Sequence, residues 1–300
     1  MENTVFDSAA LLSSLAQITQ DRDFIQYDVL TRSILGREIP LITLGKGKKT
    51  VLYVGAHHGM EWITAAVLVD FIADYCRQYE KNGAPCGYRM SYMLEKRRIL
   101  IVPMLNPDGV EYATHGVSSD NPLYARVLSM NGSADFSRWQ ANARGVDLNH
   151  NYDAGFLEYK TREQDAGVLN GAPTRYSGEY PESEPETAAL CRLLRFYHED
   201  LLGVLTLHTQ GEEIFCSCGD NLSAKTLSVG RMLARMTGYR LAHPAGLAAF
   251  GGLTDWCIAS LHRPSYTLEC GKGENPLPIE QRSLIYEKLR CALFSFPFLI

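Results

Sequence analysis

Four polar residues stand where apolar runs of the chain end. His58 follows Thr50-Val-Leu-Tyr-Val-Gly55, Asn106 follows Arg98-Ile-Leu-Ile-Val-Pro103, His208 ends Val204-Leu-Thr-Leu-His208, and Glu269 ends Tyr266-Thr-Leu-Glu269. In His58-Gly-Met-Glu61 an imidazole and a carboxylate lie three residues apart, a spacing that turns both toward one point near a helix start. Two histidines and one carboxylate make a catalytic zinc set that keeps a fourth position for water. The sequence therefore predicts one Zn2+ per chain, held by His58, Glu61 and His208. His57 has the same chemistry, and from sequence alone it remains an alternative ligand. A zinc-bound water still needs a proton acceptor. Glu269 is the candidate general base, because an acid inside an apolar strand is costly unless it is paired or functional.

The elements that would position these groups can be read from periodicity. Phe24–Leu30 and Glu38–Leu44 alternate as strands do and are joined by a turn around Gly36. The runs at 50–55, 98–103, 204–208 and 265–269 have the length and composition of buried strands. Helical periodicity marks 10–20, Glu61 to about Tyr79, Ser183 to about Tyr197, 222–237 and Ile279–Phe294, while 115–180 reads mainly as loop with one short helix near 121–130. Such alternation predicts an α/β fold: a single domain with a mixed, largely parallel twisted sheet flanked by helices on both faces. Residues 1–35 are read as a helix and first strand leading into a catalytic domain over 36–300. In sheets of this kind ligands sit beyond the carboxyl ends of the strands, where the four polar residues fall.

The 300 residues are 46% apolar, enough to bury the core of one large domain. A net charge of −5 and the absence of a Lys/Arg cluster exclude a nucleic-acid footprint. The first residues lack the basic start and apolar run of a signal peptide. No stretch reaches the ~18 uncharged apolar residues of a membrane span. A cytoplasmic location is the expectation. The eight cysteines lack zinc-ribbon spacing, Cys216-Ser-Cys218 being too tight, and are expected to be free thiols in that compartment.

Four separated motifs, in order, resemble the zinc carboxypeptidases of the carboxypeptidase A type, from about Gly36 to Phe294. They are His58-Gly-Met-Glu61-Trp62, Gly145-Val-Asp-Leu-Asn149-His-Asn151-Tyr, the His208 strand, and Tyr266-Thr-Leu-Glu269. The resemblance implies zinc on His58, Glu61 and His208, Glu269 as general base, and Asp147 as the carboxylate that orients the metal histidine. More narrowly, Ser33-Ile-Leu-Gly-Arg37, His208-Thr-Gln-Gly-Glu-Glu-Ile and Glu269-Cys-Gly-Lys-Gly-Glu-Asn-Pro-Leu-Pro278 resemble the bacterial branch that cuts between γ-D-glutamate and a diamino acid in peptidoglycan peptides. That branch implies a small muropeptide as partner, and the lack of attached wall-binding repeats suggests intracellular recycling.

The chain departs from the family pattern in three places. Where the family clamps the substrate carboxylate with an arginine, this chain has His150, so Asn149 and His150 are the candidate carboxylate binders. The oxyanion arginine that commonly follows a Trp is absent, because Trp139 is followed by Gln140; Arg144 is the preferred substitute and Arg138 the other. Leu247 stands in place of the tyrosine that digestive members fold over substrate. Thr254, with Asp255 and Glu213 as further candidates, would line a polar pocket for a diamino acid. Three rival readings follow: a carboxypeptidase for ordinary or glutamate-rich tails, a non-catalytic muropeptide-binding or sensor domain, and a cysteine hydrolase using Cys270.

Overall fold

The computed structural model describes residues 5–216, 222–244 and 246–300. Eight strands form one sheet: β1 (Ile25–Arg32), β2 (Glu38–Leu44), β3 (Lys49–Val54), β4 (Arg97–Val102), β5 (Leu201–His208), β6 (Glu213–Phe215), β7 (Arg240–Ala242) and β8 (Ser265–Glu269). Their order across the sheet is β1-β2-β4-β3-β5-β8-β6-β7. The four central strands, β4, β3, β5 and β8, are mutually parallel, while β1, β2 and β6 join antiparallel to their inner neighbours.

Alternation along the central strands splits the core into two layers. Val51, Tyr53, Ile99, Ile101, Leu205 and Leu207 face the helices Ile63–Glu80 and Gln281–Leu299. Leu52, Val54, Leu100, Val102 and Val204 face the helices Pro185–Phe196 and Leu253–Leu261. Both faces are covered, which is why these strands are apolar on both sides. β1 and the helix Ser8–Thr19 pack into the same sheet and core.

Going from β3 the chain adds β4 on one side and later β5 on the other. That reversal opens a crevice past the carboxyl ends of β3 and β5. Register then decides which side chains meet there. His208 on β5 lies directly opposite Glu269 on β8, and β3 ends level with both neighbours, Val54 pairing with Val102 and Thr206.

Several elements go beyond the sequence reading. β6 and β7 are three residues each and too short to show alternation. The 115–180 region contains a second helix, Phe156–Asp165, and the helices Met90–Lys96, Pro107–His115 and Leu253–Leu261 are additional. The free-thiol expectation is corrected for one pair: Cys86 and Cys291 form a disulfide that ties the turn Pro85–Gly87 to the last helix. Their Cα atoms lie 5.7 Å apart, within bonding reach, although the two residues are 205 apart in sequence. Cys76, Cys191, Cys216, Cys257 and Cys270 are buried free thiols, and Cys218 lies outside the described residues. Among the described residues no helix is long and apolar enough to cross a membrane.

Candidate active site

His58 leaves β3 in an extended conformation and caps the short turn Gly59–Glu61. The turn is pinned from below. Gly59 and Met60 donate their backbone N–H groups to the carbonyls of Gln140 and Trp139, both at 2.9 Å. A Cβ on Gly59 would sit 2.2 Å from the Gly109 carbonyl oxygen, so only glycine permits this approach. Asn106 is the clip beneath: its amide donates to the carbonyls of His57, Gln140 and Ala141, and its Oδ1 accepts from Gly109. It is fully buried and does not line the cavity.

The turn delivers His58 and Glu61 to His208. Glu61 Oε1 lies 2.9 Å from His58 Nδ1, and Oε2 lies 3.1 Å from His208 Nδ1 and 3.2 Å from the Thr209 N–H. The two Nδ1 atoms are 3.3 Å apart. One donor atom from each of the three residues falls within 4.8 Å of the others, the only such cluster among the described residues. The chemistry of this set fits zinc. Asp147 Oδ1 lies 3.1 Å from His58 Nε2; accepting that N–H leaves the Nδ1 lone pair aimed at the point shared with His208 and Glu61. Burial works against the Glu61 charge, yet the two histidines hold its carboxyl below the usual range. Burial likewise opposes ionisation of Asp147, but His58, His150 and the backbone N–H of Arg175 hold its carboxyl far below the usual range. Both carboxyls are held toward the anionic form.

His57 is not part of the trio. Its ring nitrogens face Tyr152 Oη at 3.1 Å and Thr206 Oγ1 at 3.3 Å, and the ring stacks behind His208. Burial lowers its pKa well below the ordinary value.

The trio opens into a cavity of about 660 Å³. Glu269 lines it, one strand over from His208, and burial followed by the charge of Glu61 pushes its carboxyl well above the usual range. Asn149, His150 and Thr254 also line it. Asn149 Oδ1 accepts the Leu253 N–H at 3.2 Å. His150 Nδ1 donates to the Phe250 carbonyl at 2.8 Å, and the ring lies flat on Tyr159, centroids 4.0 Å apart. Thr254 Oγ1 meets Thr267 Oγ1 at 2.9 Å on the cavity wall, with Asp255 alongside. Leu247, Phe215, Pro244 and Ala248 add an apolar side.

Arg144 is elsewhere. Its guanidinium is taken up by Glu184, with Nε and Nη2 at 3.0 and 2.9 Å from Oε2, and it does not line the cavity. The expectation that it faces the oxyanion is corrected on this ground: a buried acid holds it. Arg138 does line the cavity and pairs with Glu274 at its rim. Glu213 pairs with Arg240 and is absent from the lining. Cys270 is fully buried, and burial pushes its thiol up, which removes it as a nucleophile. The sequence reading passed over Arg175, Thr267, Gln210 and Asn275, all of which line the cavity. Thr267 was within reach, since it sits two residues before Glu269 on β8 and so faces the same way.

A family model for zinc carboxypeptidases matches residues 11–289. The gamma-D-glutamyl-L-diamino acid endopeptidase 1 of Lysinibacillus sphaericus is 30% identical over 285 residues, which are 94% of this chain and 70% of that protein. Among solved structures, thrombin activatable fibrinolysis inhibitor superposes with a TM-score of 0.72 at 17% identity, covering 98% of this chain and 73% of the other. The murein-tripeptide amidase MpaA from Escherichia coli O157 gives 0.53 at 21% identity, covering 93% and 94%. With a family match over residues 11–289, nearly the full length of the chain, this protein belongs to the zinc carboxypeptidase family.

Proposed function

We propose that this zinc peptidase hydrolyses the amide bond between γ-D-glutamate and a diamino acid, such as meso-diaminopimelate, in peptidoglycan-derived peptides. The observation that carries the reading is the polar wall beside the metal position: Thr254 and Thr267 share a hydrogen bond there, and Asp255 lines the same space. A diamino acid brings a second amino group and carboxylate, and a wall of hydroxyls and a carboxylate suits those groups better than an apolar digestive side chain. The names of the Lysinibacillus relative and of the amidase MpaA support this substrate class.

His58, Glu61 and His208 would hold zinc, which would supply the positive charge needed to polarise the scissile carbonyl and acidify water. Glu269 takes the proton of the attacking water and returns it to the leaving amine. Asp147 keeps His58 in the productive tautomer. Arg138, the cavity-lining member of the two arginines weighed from sequence, is assigned to the developing oxyanion. The site of action bears on Cys86–Cys291. Disulfides persist in oxidising compartments, so this bond speaks for work outside a reducing cytoplasm and against the cytoplasmic recycling expected from sequence.

The test is hydrolysis of L-Ala-γ-D-Glu-meso-diaminopimelate by zinc-loaded protein, with products identified by mass spectrometry. Free diaminopimelate is expected, and its release is expected to stop with a chelator. The Glu269→Gln variant is expected to keep zinc and lose turnover by at least about 10²-fold. Intact tripeptide after incubation with an enzyme that cuts ordinary peptides would discard the substrate assignment. Tight binding of the tripeptide with no cleavage of any peptide would favour the sensor reading.

A further inference from the structure

A peptide cut near its C-terminus brings a carboxylate into the cavity, and a carboxylate leaving water needs a charged donor. Five side chains that line the cavity are candidates: His58, His208, His150, Arg138 and Arg175. His58 and His208 are committed to the metal position. His150 has given its Nδ1 proton to the Phe250 carbonyl and is clamped flat against Tyr159. Its remaining nitrogen, Nε2, is an acceptor in the neutral ring that burial favours. Arg138 is assigned to the developing oxyanion, and it pairs with Glu274 at the rim.

Arg175 differs from all of these. Among the described residues its guanidinium makes no ion pair, and it is exposed to the cavity. Its backbone, by contrast, is fixed on both sides. The Arg175 N–H donates to Asp147 Oδ2 at 3.0 Å, and its carbonyl accepts the Tyr159 hydroxyl at 3.0 Å. Its φ of 70° is unusual for a residue with a side chain, and these two bonds hold it there. Asp147 is the carboxylate that also orients His58, and Tyr159 is the ring that carries His150. One short chain of contacts thus fixes the backbone of Arg175 relative to the metal ligand, and from it an unpaired guanidinium reaches the cavity wall.

We infer that Arg175 is the carboxylate receptor of this site, taking the C-terminal carboxylate of the residue released by cleavage, in place of His150. The inference rests on the peptidase reading but not on the identity of the diamino acid. A planar guanidinium engages a carboxylate through two parallel N–H bonds. His150 then serves as an acceptor for an N–H group of the same residue.

The experiment compares each substrate peptide with its C-terminal amide, built once on γ-D-Glu-diaminopimelate and once on an ordinary peptide tail. For the acid, Arg175→Ala is expected to raise KM roughly 10- to 100-fold with kcat little changed. For the amide, which keeps one neutral acceptor, the rise in KM is expected to be much smaller, so the acid-over-amide preference collapses. Arg175→Lys is expected to restore part of it. Zinc content and thermal midpoint are followed in parallel, so loss of fold is visible. If only the ordinary tail is cut, the substrate proposal fails while the arginine test still stands. If no peptide is cut, calorimetric binding of acid and amide to the zinc-loaded protein reads the same ratio. An acid preference that survives Arg175→Ala, or that disappears in His150→Gln instead, overturns the inference.

Discussion

Asp147 and Glu61, at the carboxyl end of the sheet, are each 2% exposed, and Glu186, in the first turn of the helix Pro185–Phe196, is 0% exposed. At the sheet end, every carboxyl oxygen of Asp147 and Glu61 has a histidine nitrogen or a backbone N–H within 3.2 Å. At the helix start neither oxygen of Glu186 has a well-aligned hydrogen-bond donor; only the backbone N–H groups of Glu186 and Ile34 approach, and they do not offset burial. The two acids whose charges bear on Glu186 hold their own cations, Asp108 pairing with Arg37 and Glu184 with Arg144. The outcomes are opposite. Glu61 is held below the usual carboxylate range, whereas burial, with the charges of Glu184 and Asp108, pushes Glu186 up to about 8. Equal depth gives opposite charge states, so the partners rather than the burial decide which end can hold a cation.

Removing a partner at the sheet end is the strongest way to break this comparison. Glu61→Gln deletes the only charged metal ligand and replaces it with an amide whose NH2 faces two histidines. Zinc affinity is expected to fall by more than the ~10–100-fold typical of an outer partner, and turnover with it. Metal content after dialysis and chelator competition check this. A Glu61→Gln protein that retains stoichiometric zinc would show that the cluster is not the metal site.

A smaller effect is expected one contact further out. Asp147→Ala leaves the three ligands in place but frees His58 Nε2 and the Arg175 backbone. Zinc affinity is expected to drop by about 10–100-fold, measured by chelator competition. The same variant should weaken the acid-over-amide preference, since Arg175 loses one of its two anchors. Unchanged affinity would mean that the tautomer of His58 is set elsewhere.

How much of this was legible in the sequence follows from how local each signal is. That His58, Glu61 and His208 would meet could be read because each ends or follows an apolar run long enough to be a buried strand, and parallel strands of similar length bring their ends together. The tautomer of His150 could not, because it depends on the Phe250 carbonyl, 100 residues away. The arginines show the limit most clearly. Arg138, Arg144 and Arg175 all lie in irregular chain, and which one faces the cavity depends on acids far off in sequence: Glu184 takes Arg144, Glu274 takes Arg138, and nothing described takes Arg175. The helix Phe156–Asp165 is an intermediate case. Its buried residues Phe156, Tyr159 and Glu163 fall at helical spacing, but a mostly polar composition hides the stripe.

A change far from the cavity sharpens the other half of the comparison. Unfolded Glu186 would ionise near 4.5, and in the fold it ionises near 8. Between those values the folded chain keeps a proton that the unfolded chain releases. Stability from this residue is therefore fully present below about pH 4.5, falls as pH rises, and levels off above about pH 8. Glu186→Gln cannot ionise and removes that slope. Urea midpoints for wild type and variant at pH 5.5 and 8.5, both with metal chelated, isolate the difference. The variant is expected to gain on wild type by an amount on the order of a few kcal/mol at the higher pH. At the lower pH the advantage shrinks, because the buried amide carries its own unpaired N–H cost of ~1–3 kcal/mol. Parallel pH dependences would mean that Glu186 is charged in the fold and has a partner after all, and the contrast between the two ends of the molecule would be one of metal chemistry alone.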